Sequence, residues 1–194
     1  MRIRMPFFVL ILVVAVQCRA QDKIELFGGF SYVRGAIEVR PNGPLVACPP
    51  NCSPPSPVTQ HANLNGWNVS GTYKMAGLLG LTADFGGHYG ILNGGTTHLN
   101  TFLFGPQLSF PGRISPFVHG LFGGAHESVG AFSTAVFFPP GPQTAFAFAI
   151  GGGTDVKAAP FVSLRLIQLD YLHTRLYGGT QNQPRLSAGV VLHF

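Results

Sequence analysis

Charge is scarce in this chain. Seven Asp and Glu stand against twelve Lys and Arg in 194 residues, so charged residues make up 10% of the total, where soluble domains usually carry roughly 25%. A surface so poor in charge must be covered in part by something other than water. Long apolar runs are also lacking. The one extended run, Pro6 to Val16, falls well short of the ~20 residues that a membrane-crossing helix needs. The seven histidines lack metal-ligand spacing. Glycine pairs such as Gly28-Gly29, Gly86-Gly87 and Gly123-Gly124 lack the strand-to-helix setting of a nucleotide-binding loop. No cofactor is therefore expected.

The short apolar run has another reading. Arg2 and Arg4 precede it, and Cys18-Arg19-Ala20 follows with small residues at the cleavage positions, the pattern of a secretory signal peptide over residues 1–20. Residues 21–194 then form one domain. Three of the basic residues leave with the leader, so the remainder is close to neutral and carries no nucleic-acid footprint. Cysteine is limited to Cys18, Cys48 and Cys52. In an exported chain the last two, three residues apart in a proline-rich stretch, read as a local disulfide that stiffens a loop. Zinc is the weaker alternative, because His61 is the nearest further ligand and a structural site takes four.

What is present is glycine, 26 residues, and phenylalanine, 17, set in segments of about ten residues that alternate with period two. Strands are expected near 23–34, 63–75, 79–90, 98–110, 114–128, 144–156, 161–176 and 184–194. In the second, Trp67, Val69 and Tyr73 share one face, and Asn68, Ser70, Thr72 and Lys74 the other. Ile24, Leu26, Phe30 and Tyr32 oppose Glu25, Gly29 and Ser31 in the first; Leu79, Leu81, Ala83 and Phe85 oppose Thr82, Asp84 and His88 in the third. In the sixth, Phe146, Phe148 and Ile150 oppose Ala145, Ala147, Ala149, Gly151 and Asp155, and a face of small residues suits a crowded barrel interior. Connections alternate between short (75–78, 111–113, 157–160) and longer (35–62, 91–97, 129–143, 177–183), as in a bilayer-spanning barrel with periplasmic turns and external loops. Trp67, Tyr73, Tyr32 and Phe110, placed near strand ends, would form the aromatic girdles. The expected fold is all-β: an eight-stranded antiparallel up-and-down transmembrane β-barrel.

The last segment places Leu186, Ala188, Val190, Leu192 and Phe194 on one face. With Ser187, Gly189, Leu192 and Phe194 it resembles the final strand of outer-membrane β-barrel proteins, whose polar-x-Gly-x-x-apolar-x-aromatic signal is read by the barrel-assembly machinery. Residues 162–174 look like the penultimate strand of small OmpA-like, porin-annotated barrels. The resemblance spans residues 21–194 and implies location in the cell outer membrane, among outer-membrane lipid, with no appended peptidoglycan-binding domain. It names no ligand.

Within such a barrel Glu25, Lys74, Asp155, Arg165 and His193 are expected to cluster toward the periplasmic half of the lumen as a structural ion-pair plug, since buried charges must be paired. Arg165 and Asp170 lie five residues apart, so strict alternation separates them unless a bulge near Leu166 to Gln168 intervenes. Arg165 snorkelling to the headgroups is the other way out. Catalysis is not expected. His173-Thr174-Arg175 lacks the His-x-Ser of lipid A deacylases, and in His126-Glu127-Ser128 the glutamate points away from the other two. The expected role is that of a monomeric structural or surface-interaction protein, displaying to an extracellular partner the loops around Cys48/Cys52 and Phe132 to Pro142. A narrow passive pore is the alternative, and a soluble lipocalin-like carrier with its apolar faces turned inward is a third.

Overall fold

A computed structural model describes residues 23–39, 58–92, 95–130, 142–176 and 180–194. The expected signal peptide, the expected Cys48–Cys52 disulfide and most of the Phe132 to Pro142 segment lie outside the described residues. The eight strands are β1 (Ile24–Val39), β2 (Val58–Ala76), β3 (Leu79–Leu92), β4 (Gly95–Ser109), β5 (Ile114–Val129), β6 (Gln143–Ala159), β7 (Val162–Thr174) and β8 (Gln181–His193). Each pairs antiparallel with its sequence neighbour, and β1 pairs with β8, closing the barrel. Closure satisfies the edge that an open sheet leaves unpaired, which hydrocarbon would not tolerate. At the seam the amide of Phe194 donates to Ile24 O (2.8 Å) and the amide of Ile24 to Phe194 O (3.1 Å).

The alternation in the sequence becomes two surfaces. Ile24, Leu26, Phe30, Trp67, Val69, Tyr73, Leu81, Phe85, Phe146 and Ile150 are exposed on the outer wall, while Asn68, Ser70, Thr72, Thr82, Asp84 and Asp155 are buried in the lumen. This arrangement is the reverse of a soluble carrier and rules out the lipocalin-like alternative. An apolar exterior around a polar interior is the pattern of a barrel solvated by lipid.

At what we term the turn end, β2 passes to β3 through Gly77, whose φ of 56° lies in the left-handed region that glycine enters without steric cost. At the opposite, loop end the ladders run further than the alternation suggests. β2 begins at Val58 rather than 63, because His61, Asn63 and Asn65 alternate with Ala62 and Leu64 on a wall that is no longer apolar. Trp67 therefore lies in the interior of β2 and not near a strand end. The segment 91–97 is likewise no long loop: Leu92 pairs with Gly95, so β3 and β4 are separated by only two residues, whose Asn-Gly sequence is the favoured two-residue hairpin signal.

β7 carries the bulge that Arg165 and Asp170 require. Its register shifts between Arg165 and Gln168 against β8, and between Ile167 and Arg165 against β6. Leu166 and Ile167 are 60% and 42% exposed in succession. Two residues facing lipid consecutively return both Arg165 and Asp170 to the lumen, which excludes the snorkelling alternative for Arg165.

Candidate functional site

Inward-facing side chains form layers along the lumen, read strand by strand from the turn end. β5 presents Phe117, His119, Leu121, Ala125 and Glu127; β7 presents Ser163, Arg165, Gln168, Asp170, Leu172 and Thr174. Charged groups come first, then leucine and alanine, then a polar rim.

The first layer brings together the five residues of the expected charge cluster as two groups. Lys74 Nζ is 2.6 Å from Glu25 Oε1, with His193 Nδ1 at 3.3 Å from the same oxygen. Arg165 Nε and Nη2 donate to the two carboxylate oxygens of Asp155 at 2.8 and 3.0 Å, the bidentate geometry that suits guanidinium to carboxylate. The Arg165 guanidinium also lies between the rings of Phe27 and Phe117, 4.4 and 4.1 Å from their centroids, an arrangement worth roughly 1 kcal/mol or more when desolvated. A cavity of about 270 Å³ opens beneath, lined by Glu25, Lys74, Phe117, Asp155, Ser163 and His193 among others.

The second layer is centred on Arg185, which is fully buried. Its Nη1 donates to Asp84 Oδ1 at 2.7 Å and its Nε to Asp170 Oδ2 at 2.8 Å. Nη2 sits 2.7 Å from that second oxygen as an ion-pair contact, outside hydrogen-bonding angles. Asp170 also bonds His119 Nε2 (2.8 Å) and accepts from Gln168 (2.8 Å), and Gln168 in turn accepts from Arg165 Nη1 (2.7 Å). The two charged layers are therefore one network. Asn68 donates to Asp84 (2.9 Å), and Ser31 links His88 to Ser187, both at 2.9 Å. Gly151 makes room for it: a β-carbon there would strike the Asp170 carboxylate and the backbone of β7.

The third layer is apolar. Val33, Leu64, Leu99, Leu103, Leu121, Leu172 and Leu176 pack with Ala62, Ala125, Ala147 and Ala149 into one buried cluster. The lumen is closed above the ions by this layer. Beyond it Glu127 is buried, and its Oε2 and the hydroxyls of Thr97 and Thr101 make no hydrogen bond among the described residues.

Sequence reading placed Glu25, Lys74, Asp155, Arg165 and His193 in the lumen but missed the Arg185 centre and the leucine layer. Arg185 had a signal, its alternation with Leu186, Ala188 and Val190. The leucines had little: on β4 and β5 Leu99, Leu103 and Leu121 face inward beside outward Phe102, Phe104 and Phe122, so both faces are apolar and period two is lost. Of the assembly-signal residues, Leu192 is exposed on the wall, whereas Ser187 is buried against Ser31. A β-carbon at Gly189 would meet the Gly28 carbonyl of β1, so that glycine also lets the seam close.

The arrangement offers little to chemistry. Among the described residues no group of three or more His, Cys, Asp or Glu could hold a metal. His126 and His173 point outward while Glu127 and Thr174 are buried in the lumen, so neither sequence combination converges. Ser163 Oγ does lie 2.8 Å from His193 Nε2, and His193 faces Glu25, a serine–imidazole–carboxylate order. Lys74 holds that carboxylate more closely than the imidazole does, and Ser163 is itself buried. The chain is thus a continuation of the ion-pair layer.

No family model matches the chain, and no curated protein matches it. Solved structures do. Neisserial surface protein A superposes with a TM-score of 0.63 at 14% identity, covering 89% of this chain and 97% of that one. Ail, the attachment invasion locus protein of Yersinia pestis, gives 0.53 at 16% identity over 87% and 98%. The outer membrane protein OprG from Pseudomonas aeruginosa gives 0.51 at 12% over 88% and 95%. At these identities the likeness is one of fold. Together with the lipid-suited exterior and the ion-filled interior, it makes this chain a small eight-stranded β-barrel of the outer-membrane type.

Proposed function

We propose that the protein is a non-catalytic integral barrel of the outer membrane with a structural or surface-interaction role, its turns in the periplasm and its loops outside. The observation that carries this reading is the packed lumen. Charged residues bond one another across β1, β2, β3, β6, β7 and β8 below an apolar layer of leucine and alanine, and eight strands enclose little more than the volume their side chains fill. A barrel so filled serves as a scaffold for what its loops display. The fold shared with Ail, named for attachment and invasion, supports surface interaction as the role. The loop segments carrying Cys48, Cys52 and Phe132 to Pro142 are the proposed contact points with an extracellular partner, with the barrel-assembly machinery as partner during biogenesis and the mature protein a monomer.

Planar-bilayer recording tests this against the pore. The folded chain is expected to give no discrete current steps, whereas reproducible unitary conductance would establish a pore. A fluorophosphonate probe should leave Ser163 unlabelled. Stoichiometric labelling there would overturn the non-catalytic reading.

A further inference from the structure

Among the described side chains, the charges of this barrel are sorted by sign. All five described carboxylates, Glu25, Asp84, Glu127, Asp155 and Asp170, are buried in the lumen. The outer wall, among the described side chains, carries two charged residues, and both are arginines: Arg34 is exposed between inward Val33 and Gly35, and Arg175 between inward Thr174 and Leu176. Both lie at the loop end. The charged residues exposed at the turn end, Lys23, Arg113 and Lys157, are basic as well. Asp22 and Glu38 have side chains outside the description.

Histidine is sorted too. His88, His119 and His193 face the lumen, whereas His61, His98, His126 and His173 face outward at the loop end. Three of these are held in place. His98 packs edge-on to Tyr89 at 5.1 Å, His173 stacks on Phe148 at 4.7 Å and bonds Asn182, and His126 bonds Thr144, both at 2.8 Å. A rim meeting only water would mix both signs, because mixed charge is what keeps a surface soluble. One lying among lipid headgroups is selected by their charge instead, and a basic residue near an anionic lipid surface gains roughly five-fold in affinity.

We infer that the loop-end rim binds lipids whose headgroup phosphate carries net negative charge, with Arg34 as one anchoring cation on β1 and Arg175 as another just past the end of β7. This rests on the outer-membrane reading above. The occupant is a lipid and not a free anion, because below Arg34 the same face of β1 passes through Tyr32, whose hydroxyl donates to Asn63, to apolar wall at Phe30, Leu26 and Ile24. A phosphate held by the guanidinium would leave its acyl chains lying along those side chains.

The lone tryptophan reads this contact. Arg34 is in register with Asn63 and Phe30 with Trp67, so Trp67 lies four residues, or about 13 Å, toward the turn end on the adjacent strand. Bromines placed midway along an acyl chain whose headgroup is at Arg34 therefore reach the depth of Trp67. The full chain would be folded into phosphatidylcholine vesicles and Trp67 quenching titrated with chain-brominated phosphatidic acid or chain-brominated phosphatidylcholine. Phosphatidic acid is expected to quench at about five-fold lower mole fraction. Arg34→Gln should bring the two titrations together, Arg34→Lys should keep most of the difference, and Arg175→Gln, at the end of the strand three places from Trp67 around the barrel, should leave it unchanged. Coincident titrations in the folded parent chain would overturn the inference, as would a preference that survives in Arg34→Gln. A chain that shows no heat-dependent gel mobility in any vesicle would overturn the outer-membrane reading itself, so the two failures are told apart.

Discussion

Arg185 illustrates how much one side chain can govern in a closed lumen. It pairs with both Asp84 and Asp170 from a position with no access to solvent. Removing it leaves two buried carboxylates facing each other, and uncompensated buried charge costs about 3–5 kcal/mol. Arg185→Leu is expected to lower the unfolding free energy of the folded barrel by that order, read as a lower denaturant midpoint in equilibrium unfolding from vesicles. Adding Asp170→Asn should recover part of the loss, and a double variant no better than the single would show that Asp170 is not the burdened partner. Gly151→Val should cost about 1–3 kcal/mol, as overpacking does, since its side chain enters the space of the Asp170 carboxylate. Arg185 and Gly151 were open to sequence reading as an inward position and a small-residue face. What could not be read was that they meet at Asp170, because the pairing of β6, β7 and β8 that brings them there depends on registers that no local pattern carries.

At the scale of the element, β7 is the informative strand. Alternation located the strand, and the conflict between Arg165 and Asp170 pointed to its bulge, because inserting one residue restores both to the polar side. Deleting Leu166 should undo this: a one-residue slip sends one half of the strand to the wrong face, placing Arg165 or Asp170 in lipid. Loss of the heat-modifiable band is the expected result, and a normally shifting band would show that the bulge is dispensable. The loop-end extensions of β2, β3 and β4 were less legible, since outside the hydrocarbon there is no penalty for a polar wall and alternation of polarity fades before the strand does. Removal of Phe194 tests the other end. It takes away the two backbone bonds to Ile24 and the terminal aromatic of the assembly signal, and reduced recovery in the outer-membrane fraction is expected, with unchanged recovery counting against the assignment.

For the molecule as a whole, the number of strands, their order and the sense of the two faces follow from period-two patterning and a low charge content, because a barrel in lipid has few other ways to satisfy its backbone. The lumen is where the pattern ran out, since ions and leucines there are chosen to fit one another across the barrel. That fitting has a temporal side. Arg185 belongs to β8, yet its partner Asp84 stands 101 residues earlier on β3. Until β8 arrives, Asp84 and Asp170 have no guanidinium between them, and an incomplete sheet must hold both carboxylates with only the weaker partners on β2, β5 and β7. Closing the barrel and seating Arg185 between its two carboxylates are then one event, since the strand that completes the seam with β1 is the strand that brings the guanidinium.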